Sequence, residues 1–449
     1  MLKIVFLLVA GGVFLYSLSK KPDWLAIILF TLIIADINFE MKGVPLRSAL
    51  TVLLFARIFG EMRSSEHPGF LSNGPVWHLI FFTVWILMIS FFNGILTMEL
   101  FKTFFLSVLS AALAYYYFFK YRNHEILKIS MILGGLICLG DLAYTYAFCG
   151  GFPVRRIYPL FTGVEPSYNN HNFFGYICGT CFVFLLSDYL TNTKRSATKL
   201  SLWMMPPMFL GVLLSTSRGA MVAMILVAVV LIGKAMMSRT EGSGKKATTL
   251  VTITIVCLLL ALFIFQIAAT LGIQSDFMQT MTGRLVDEPL AMFNKMLGNK
   301  YNANSMDSME WREEASSLAY KYFMSLPASD QVMGIGYGGF LARDIGSGYD
   351  AHNGVLLLLI ETGAIGFVIY TALILSFWAK VRSLNISSPA FISIVFIVLY
   401  ITSHNKEITS FFAFLIMGSL MAEIRYYSTV HEEVEEADEE AQLARLANE

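Results

Sequence analysis

His352 and Asn353 stand one step before a long apolar run, in "GYDAHNGVLLLLIETGAIGF" at 348–367. Neutral imidazole is the commonest general base near neutral pH. The plainer role for such a histidine is a satisfied polar cap. Asp350 lies two residues earlier, and Glu361 follows nine residues later, about two and a half helical turns away and beyond direct reach of His352. A second stretch, "LLSTSRGAMVA" at 213–223, places Arg218 within almost forty residues of otherwise apolar and small side chains. Burying an arginine there costs at least about 2.5 kcal/mol on insertion scales, which marks it as a functional candidate. A guanidinium pairs bidentately with phosphate oxygens; the simpler alternative is snorkelling to lipid phosphates.

Two further stretches add polar density. In "VEPSYNNHNFFGY" at 164–176, Asn169, Asn170, His171 and Asn172 crowd the start of an apolar segment, and Arg155 and Arg156 precede them. One asparagine there would read as a helix cap. Four polar side chains exceed that need, and amides, which donate and accept, suit hydroxyl-rich ligands such as sugars. In "MGIGYGGFLARD" at 333–344 the glycines resemble a phosphate-binding turn without the preceding strand such turns follow. A tight turn returning the chain toward the membrane fits as well, and Arg343 in this stretch is a candidate for substrate binding. No Asp-x-Asp and no His/Asp/Glu cluster at ligand spacing accompanies these residues, so neither metal nor cofactor is expected. A lipid pyrophosphate leaving group stabilised by arginine in place of Mg²⁺ fits that pattern.

The elements that must position these residues are membrane helices. The chain has 449 residues, 56% hydrophobic and 14% charged, against roughly a quarter charged in soluble domains. Its apolar runs are long and continuous. A bilayer requires about 20 helical residues per crossing and leaves only helices or closed barrels, so an all-α polytopic membrane protein is expected. Thirteen candidate spans fall near 2–19, 24–38, 44–60, 76–95, 101–119, 126–147, 170–190, 200–217, 219–237, 248–269, 353–379, 389–402 and 408–424. The second and twelfth are short, so the expectation is about 12–13 helices. The first resembles a signal peptide but lacks an A-x-A site and runs into Lys20-Lys21, which reads as a retained span.

Alternating short connections carry sixteen lysines and arginines on one side and seven on the other. The positive-inside rule places the richer set in the cytoplasm. All four polar clusters then face outward, as does the long segment 270–352. The chain divides into ten spans over 1–269, a large outer loop over 270–352, further spans over 353–424, and an acidic cytoplasmic tail over 425–449. A loop that long is functional or disordered more often than a connector. Its stretch "MEWREEASSLAYKYFMSL" has helical spacing of Met309, Ala315, Leu318, Tyr322 and Leu326, which predicts an amphipathic helix on or near the membrane. The tail reads as a solvated helix or disordered end. Net charge is zero, so nothing argues for nucleic acid. Of five cysteines, Cys178 and Cys181 have CxxC spacing but lie within a span without further ligands, which favours packing over redox or zinc chemistry.

At "SRG" (Ser217 to Gly219), "NNHNFFGY", "GIGYGGF" and "HNGVLLLLIETGAIG" the sequence resembles the O-antigen ligase and polymerase superfamily, over about residues 165 to 370. The resemblance implies a GT-C-like fold with a large periplasmic loop closing over a cavity in the bacterial inner membrane. It also implies metal-independent transfer of glycan from undecaprenyl pyrophosphate. Carried over, Arg218 binds pyrophosphate and His352 activates the acceptor hydroxyl. The family also uses a loop arginine a few residues before a tryptophan. Here Arg312 directly follows Trp311, and Arg284 in "TGRLVDE" is the other candidate, with Arg312 favoured. Asn353, Asn170, His171, Asn172 and Arg343 complete the expected substrate-binding set. The partners implied are a lipid-linked glycan donor, a glycan or lipid A-core acceptor, the bilayer and a chain-length regulator protein. A polymerase is the leading expectation. The outer loop sets six basic residues against ten acidic ones, whereas a ligase meeting an anionic core oligosaccharide should present a basic surface. The alternative is a ligase moving finished glycan to a lipid A-core or protein acceptor. A flippase is less favoured, because few charges line a path through the spans.

Overall fold

The computed structural model describes residues 22–37, 40–41, 44–62, 70–72, 74–148, 171–192, 195–237, 307–345, 351–402 and 410–446, with isolated positions between 246 and 297. The expected first span at 2–19, most of the one at 248–269, and Asn170, Arg284, Arg155 and Arg156 lie outside the described residues.

Helices follow the apolar runs closely. They are α1 Pro22–Ile34, α2 Leu46–Met62, α3 Gly74–Phe92, α4 Met98–Tyr121, α5 Glu125–Phe148, α6 His171–Thr191, α7 Arg195–Ser215 and α8 Arg218–Met237. After them come α9 Asp307–Ser325, α10 Ala328–Met333, α11 Gly339–Ala342, α12 Gly354–Ser383, α13 Pro389–Ile401 and α14 Phe411–Leu446. A 3₁₀ turn at Phe70–Ser72 and a two-residue antiparallel pair, Glu40–Met41 with Val44–Pro45, are the other regular pieces among the described residues. The architecture is all-α. Six helices (α3, α4, α5, α6, α8 and α12) are long and apolar enough to cross a bilayer, and α1 and α13 are shorter apolar helices. The expected spans at 44–60, 200–217 and 408–424 coincide with α2, α7 and the first part of α14. The protein is a multi-pass membrane protein. Hydroxyl and amide caps set several starts: Thr97 accepts from Leu100 N–H at 3.1 Å, Asn353 from Leu356 N–H at 3.1 Å, and Ser388 from Phe391 N–H at 3.0 Å.

The core centres on α6. Seventeen of its 21 residues are buried, and a helix apolar on every face belongs inside a bundle. It packs against α5, α7, α8 and α13, while α14 packs along α4. Small residues allow these approaches, as expected where helices associate in lipid. A Cβ on Gly175 would lie 2.5 Å from the Ser217 Cβ, one on Gly179 would strike the Phe396 ring, and one on Gly418 would lie 2.0 Å from the Ala111 carbonyl oxygen. Cys178 and Cys181 are buried free thiols facing α5 carbonyls, Cys181 donating to Met131 at 3.3 Å.

The segment between α8 and α12, with the start of α12, has its own small core, in which Ala319, Leu326, Ile335, Phe340, Ala351, Leu357 and Ile360 pack together. The amphipathic helix expected there is α9, but its buried face is rotated from the predicted one. Leu318 is exposed, whereas Arg312, Ala315, Ser316, Ala319, Tyr322, Phe323 and Leu326 form the covered stripe. Their spacing is i, i+3, i+4, i+7, i+10, i+11 and i+14, a more regular helical face than the one chosen by apolarity alone. The face includes an arginine and a serine because it closes on polar groups.

Candidate active site

α12 is broken at Gly363, whose φ of 69° and ψ of 179° lie outside helical values. A break inside an apolar helix strands carbonyls that hydrocarbon cannot satisfy. Here three are taken up from outside the helix. Ile335 N–H donates to Ile360 O at 3.1 Å, Gly336 N–H to Glu361 O at 2.9 Å, and the Trp85 indole to Thr362 O at 2.8 Å. The glycine-rich turn therefore lies directly against the helix backbone. Gly334, Gly336 and Gly338 all have φ between 84° and 91°, and a Cβ on Gly334 would lie 2.5 Å from the Gly363 nitrogen. Tyr337 N–H donates to Ser90 Oγ at 3.0 Å. These N–H groups are spent on the protein, so the resemblance to a phosphate cradle gives way to the tight turn returning toward the membrane. Arg343 donates to Asn93 Oδ1 at 3.0 Å, on the α3–α4 corner.

This clamp fixes the N-terminal part of α12, at whose start His352 and Asn353 sit. Asn353 caps α12 with its side-chain oxygen. His352 has φ 46°, a left-handed conformation that only a well-packed environment holds for a non-glycine residue and that clusters at functional sites. Its side chain is half-buried. The preceding carbonyl, of buried Ala351, accepts from Ser316 Oγ at 3.0 Å. Ser316 lies one turn beyond Arg312 on α9, so one helix face addresses both the histidine and the loop arginine.

Arg312, half-buried on α9, is electrostatically coupled to Tyr400 near the end of α13. Burial pushes its pKa below the ordinary arginine range, with the Tyr400 phenol opposing that shift. Tyr400 is fully buried, and its hydroxyl donates to the Asn172 carbonyl at 2.9 Å. Its ring stacks between Tyr176, at 5.3 Å and 24°, and Phe396, at 6.1 Å and 10°. Asn172 belongs to the first turn of α6, beside His171. On the same turn of α6, Gly175 receives the 215–217 connection, in which Thr216 has φ 52° and Ser217 N–H donates to Ser215 Oγ at 3.2 Å. Arg218 opens α8 there, half-buried. The start of α6, from His171, thus meets both the "STSRG" connection and Tyr400.

Tyr400 and Ser316 were invisible as site residues in the sequence. A tyrosine ending an apolar run reads as an interfacial anchor, and a serine in "EEASSLAY" reads as helix surface. Among the described residues no group of three or more His, Cys, Asp or Glu is placed to hold a metal ion.

Residues 203–371 match the family model described as O-antigen ligase. This segment supports the O-antigen ligase and polymerase superfamily. The matched stretch holds Arg218, Arg312, Arg343, His352 and Asn353, while the start of α6 and Tyr400 lie outside it. The match covers less than half of the chain and shows what this segment is similar to. No curated protein matches the chain.

Proposed function

We propose that the protein elongates a polysaccharide, transferring a growing chain from undecaprenyl pyrophosphate to the next lipid-linked repeat unit at the periplasmic face of the bacterial inner membrane. The observation that carries this reading is the single face of α9 that bears both Arg312, electrostatically coupled to Tyr400, and Ser316, which holds the Ala351–His352 peptide. His352 accepts the proton of the acceptor hydroxyl as its oxygen bonds to the anomeric carbon of the donor. The bond from that carbon to the carrier's phosphate oxygen breaks, and the electron pair leaves with the pyrophosphate. Arg218 and Arg312 neutralise the departing charge, a role metal ions fill in other phosphate chemistries. His171 and Asn172 line the floor on which the sugar rests.

A polymerase is preferred to a ligase because the 270–352 loop carries six basic residues against ten acidic ones, a poor surface for an anionic core oligosaccharide. The test is a glycan profile of the host after deletion of this protein, resolved together with the lipid-linked pool. Single repeat units on the normal acceptor, without a ladder, establish a polymerase. Long chains stranded on the carrier, with a bare acceptor, establish a ligase.

A further inference from the structure

The other end of α6 borders a second polar site that glycan transfer leaves unused. α6 runs from His171 to Thr191, about 30 Å at the helical rise, and at its far end lies a cavity of about 460 Å³. The connection after α4, the end of α6, the α12–α13 connection and the middle of α14 enclose it. That volume lies within the range of small-molecule sites.

Its walls hold four ionisable groups taken out of water. Lys128 pairs with Asp188 at 3.3 Å and His124 with Glu423 at 3.1 Å, with side chains 6%, 12%, 11% and 6% exposed. A buried ion pair such as Lys128–Asp188 roughly cancels its own desolvation cost, so it is weak evidence for stability, and ionisable groups among membrane helices are functional candidates by default. The carboxylates are already engaged. Asp188 also accepts from Ser201 at 2.5 Å and Asn192 at 3.3 Å, and Glu423 from Ser388. Lys128 has donors to spare. A lysine ammonium has three N–H groups, and the Asp188 contact is the one hydrogen bond the Lys128 Nζ makes among the described residues. Arg122, in a left-handed cap conformation at φ 51°, brings an exposed guanidinium to the rim. Glu125 on the rim is the one lining acid exposed to solvent.

The Lys128 ammonium inside the cavity and the Arg122 guanidinium at its rim present N–H donors and positive charge that suit an acceptor-rich ligand of negative charge, although Glu125, Asp188 and Glu423 also line the space. We infer that this cavity binds a phosphate group, between Lys128 at its base and Arg122 at its mouth, on the membrane face opposite His352. The phosphate comes either from a lipid headgroup of that leaflet or from a soluble phosphate compound. The inference does not rest on the proposed transfer reaction, and its test does not use that activity.

The test takes the full-length protein in a neutral detergent. Thermal unfolding and equilibrium binding are followed against two probes, inorganic phosphate and the short-chain lipid dihexanoylphosphatidylglycerol. The expected result is a saturable rise in Tm with at least one probe, and at least about a tenfold loss of affinity in Arg122→Gln. The same loss is expected in the paired variant Lys128→Met with Asp188→Asn, which removes both charges together. A response to the lipid alone assigns a headgroup; a response to inorganic phosphate assigns a soluble compound. Should the paired variant fail to fold, Arg122→Gln decides by itself. No saturable response to either probe, or unchanged affinity in Arg122→Gln, overturns the site.

Discussion

The Ser316 hydroxyl donates to the Ala351 carbonyl at 3.0 Å, joining a helix of the outer segment to the peptide that immediately precedes His352. That bond holds a histidine in a left-handed conformation, and its loss frees the backbone to relax. Ser316→Ala is therefore expected to cost about 1 kcal/mol of stability while lowering transfer roughly tenfold, since small displacements of a base reduce its effectiveness steeply. Turnover assayed beside thermal unfolding separates the two effects. Full turnover in Ser316→Ala would refute the positioning role.

His352→Ala and Arg218→Ala are each expected to abolish transfer while the protein still inserts in the membrane. Quantifying folded protein in membranes beside glycan product checks both halves. Undiminished product from either variant removes that residue from the mechanism.

Arg312 lies where burial lowers the pKa of a cation. A lysine in its place starts from about 10.4 and is pushed down by the same burial. It is charged below its lowered pKa and loses charge as pH rises through it. Arg312→Lys should therefore recover part of the activity lost in Arg312→Ala, with the fraction recovered growing as pH falls. A ratio of the two variants that stays flat with pH would contradict a charge-neutralising role for this side chain.

The clamp at the α12 break makes a stability prediction. Gly363→Ala brings a Cβ within 2.3 Å of the Val332 carbonyl oxygen at a φ of 69°, and Gly334→Ala meets backbone at 2.5 Å at a φ of 91°. Each is expected to destabilise by roughly 3 kcal/mol or more, combining overlap with left-handed strain. Gly338→Ala has an equally positive φ but open space, so about 1 kcal/mol of strain is expected. Thermal unfolding of the three variants side by side checks the ranking.

Tyr400→Phe removes one hydroxyl and keeps the stack with Tyr176 and Phe396. The lost bond to Asn172 costs about 1 kcal/mol. The expected kinetic signature is a raised KM for the lipid-linked donor with kcat held within about twofold. A purely kcat defect would place Tyr400 elsewhere in the reaction.

Most of the membrane architecture could be read from the chain, because continuous apolar runs in lipid leave little choice but helices. What local pattern could not supply was partner identity. The face of α9 was misplaced because Leu318 looks like core and Ser316 like surface, yet the surface α9 meets ends in the polar Ala351–His352 peptide. The glycines of 334–339 looked like an anion cradle because a sequence shows where N–H groups are unobstructed and not which carbonyls await them. Those carbonyls exist only because of the Gly363 break, near thirty residues further on. Tyr400 was missed for the same reason, since its relation to Asn172 spans 228 positions.

The break at Gly363 also imposes an order on how the protein is made. The turn at 334–337 leaves the ribosome before the carbonyls of Ile360 and Glu361 that it binds, so during synthesis it is a plug waiting for its socket. The helices up to α8 pack without that encounter. The candidate site cannot close until the chain has been extended past Gly363 to Tyr400, so it matures only after the first eight helices have been made.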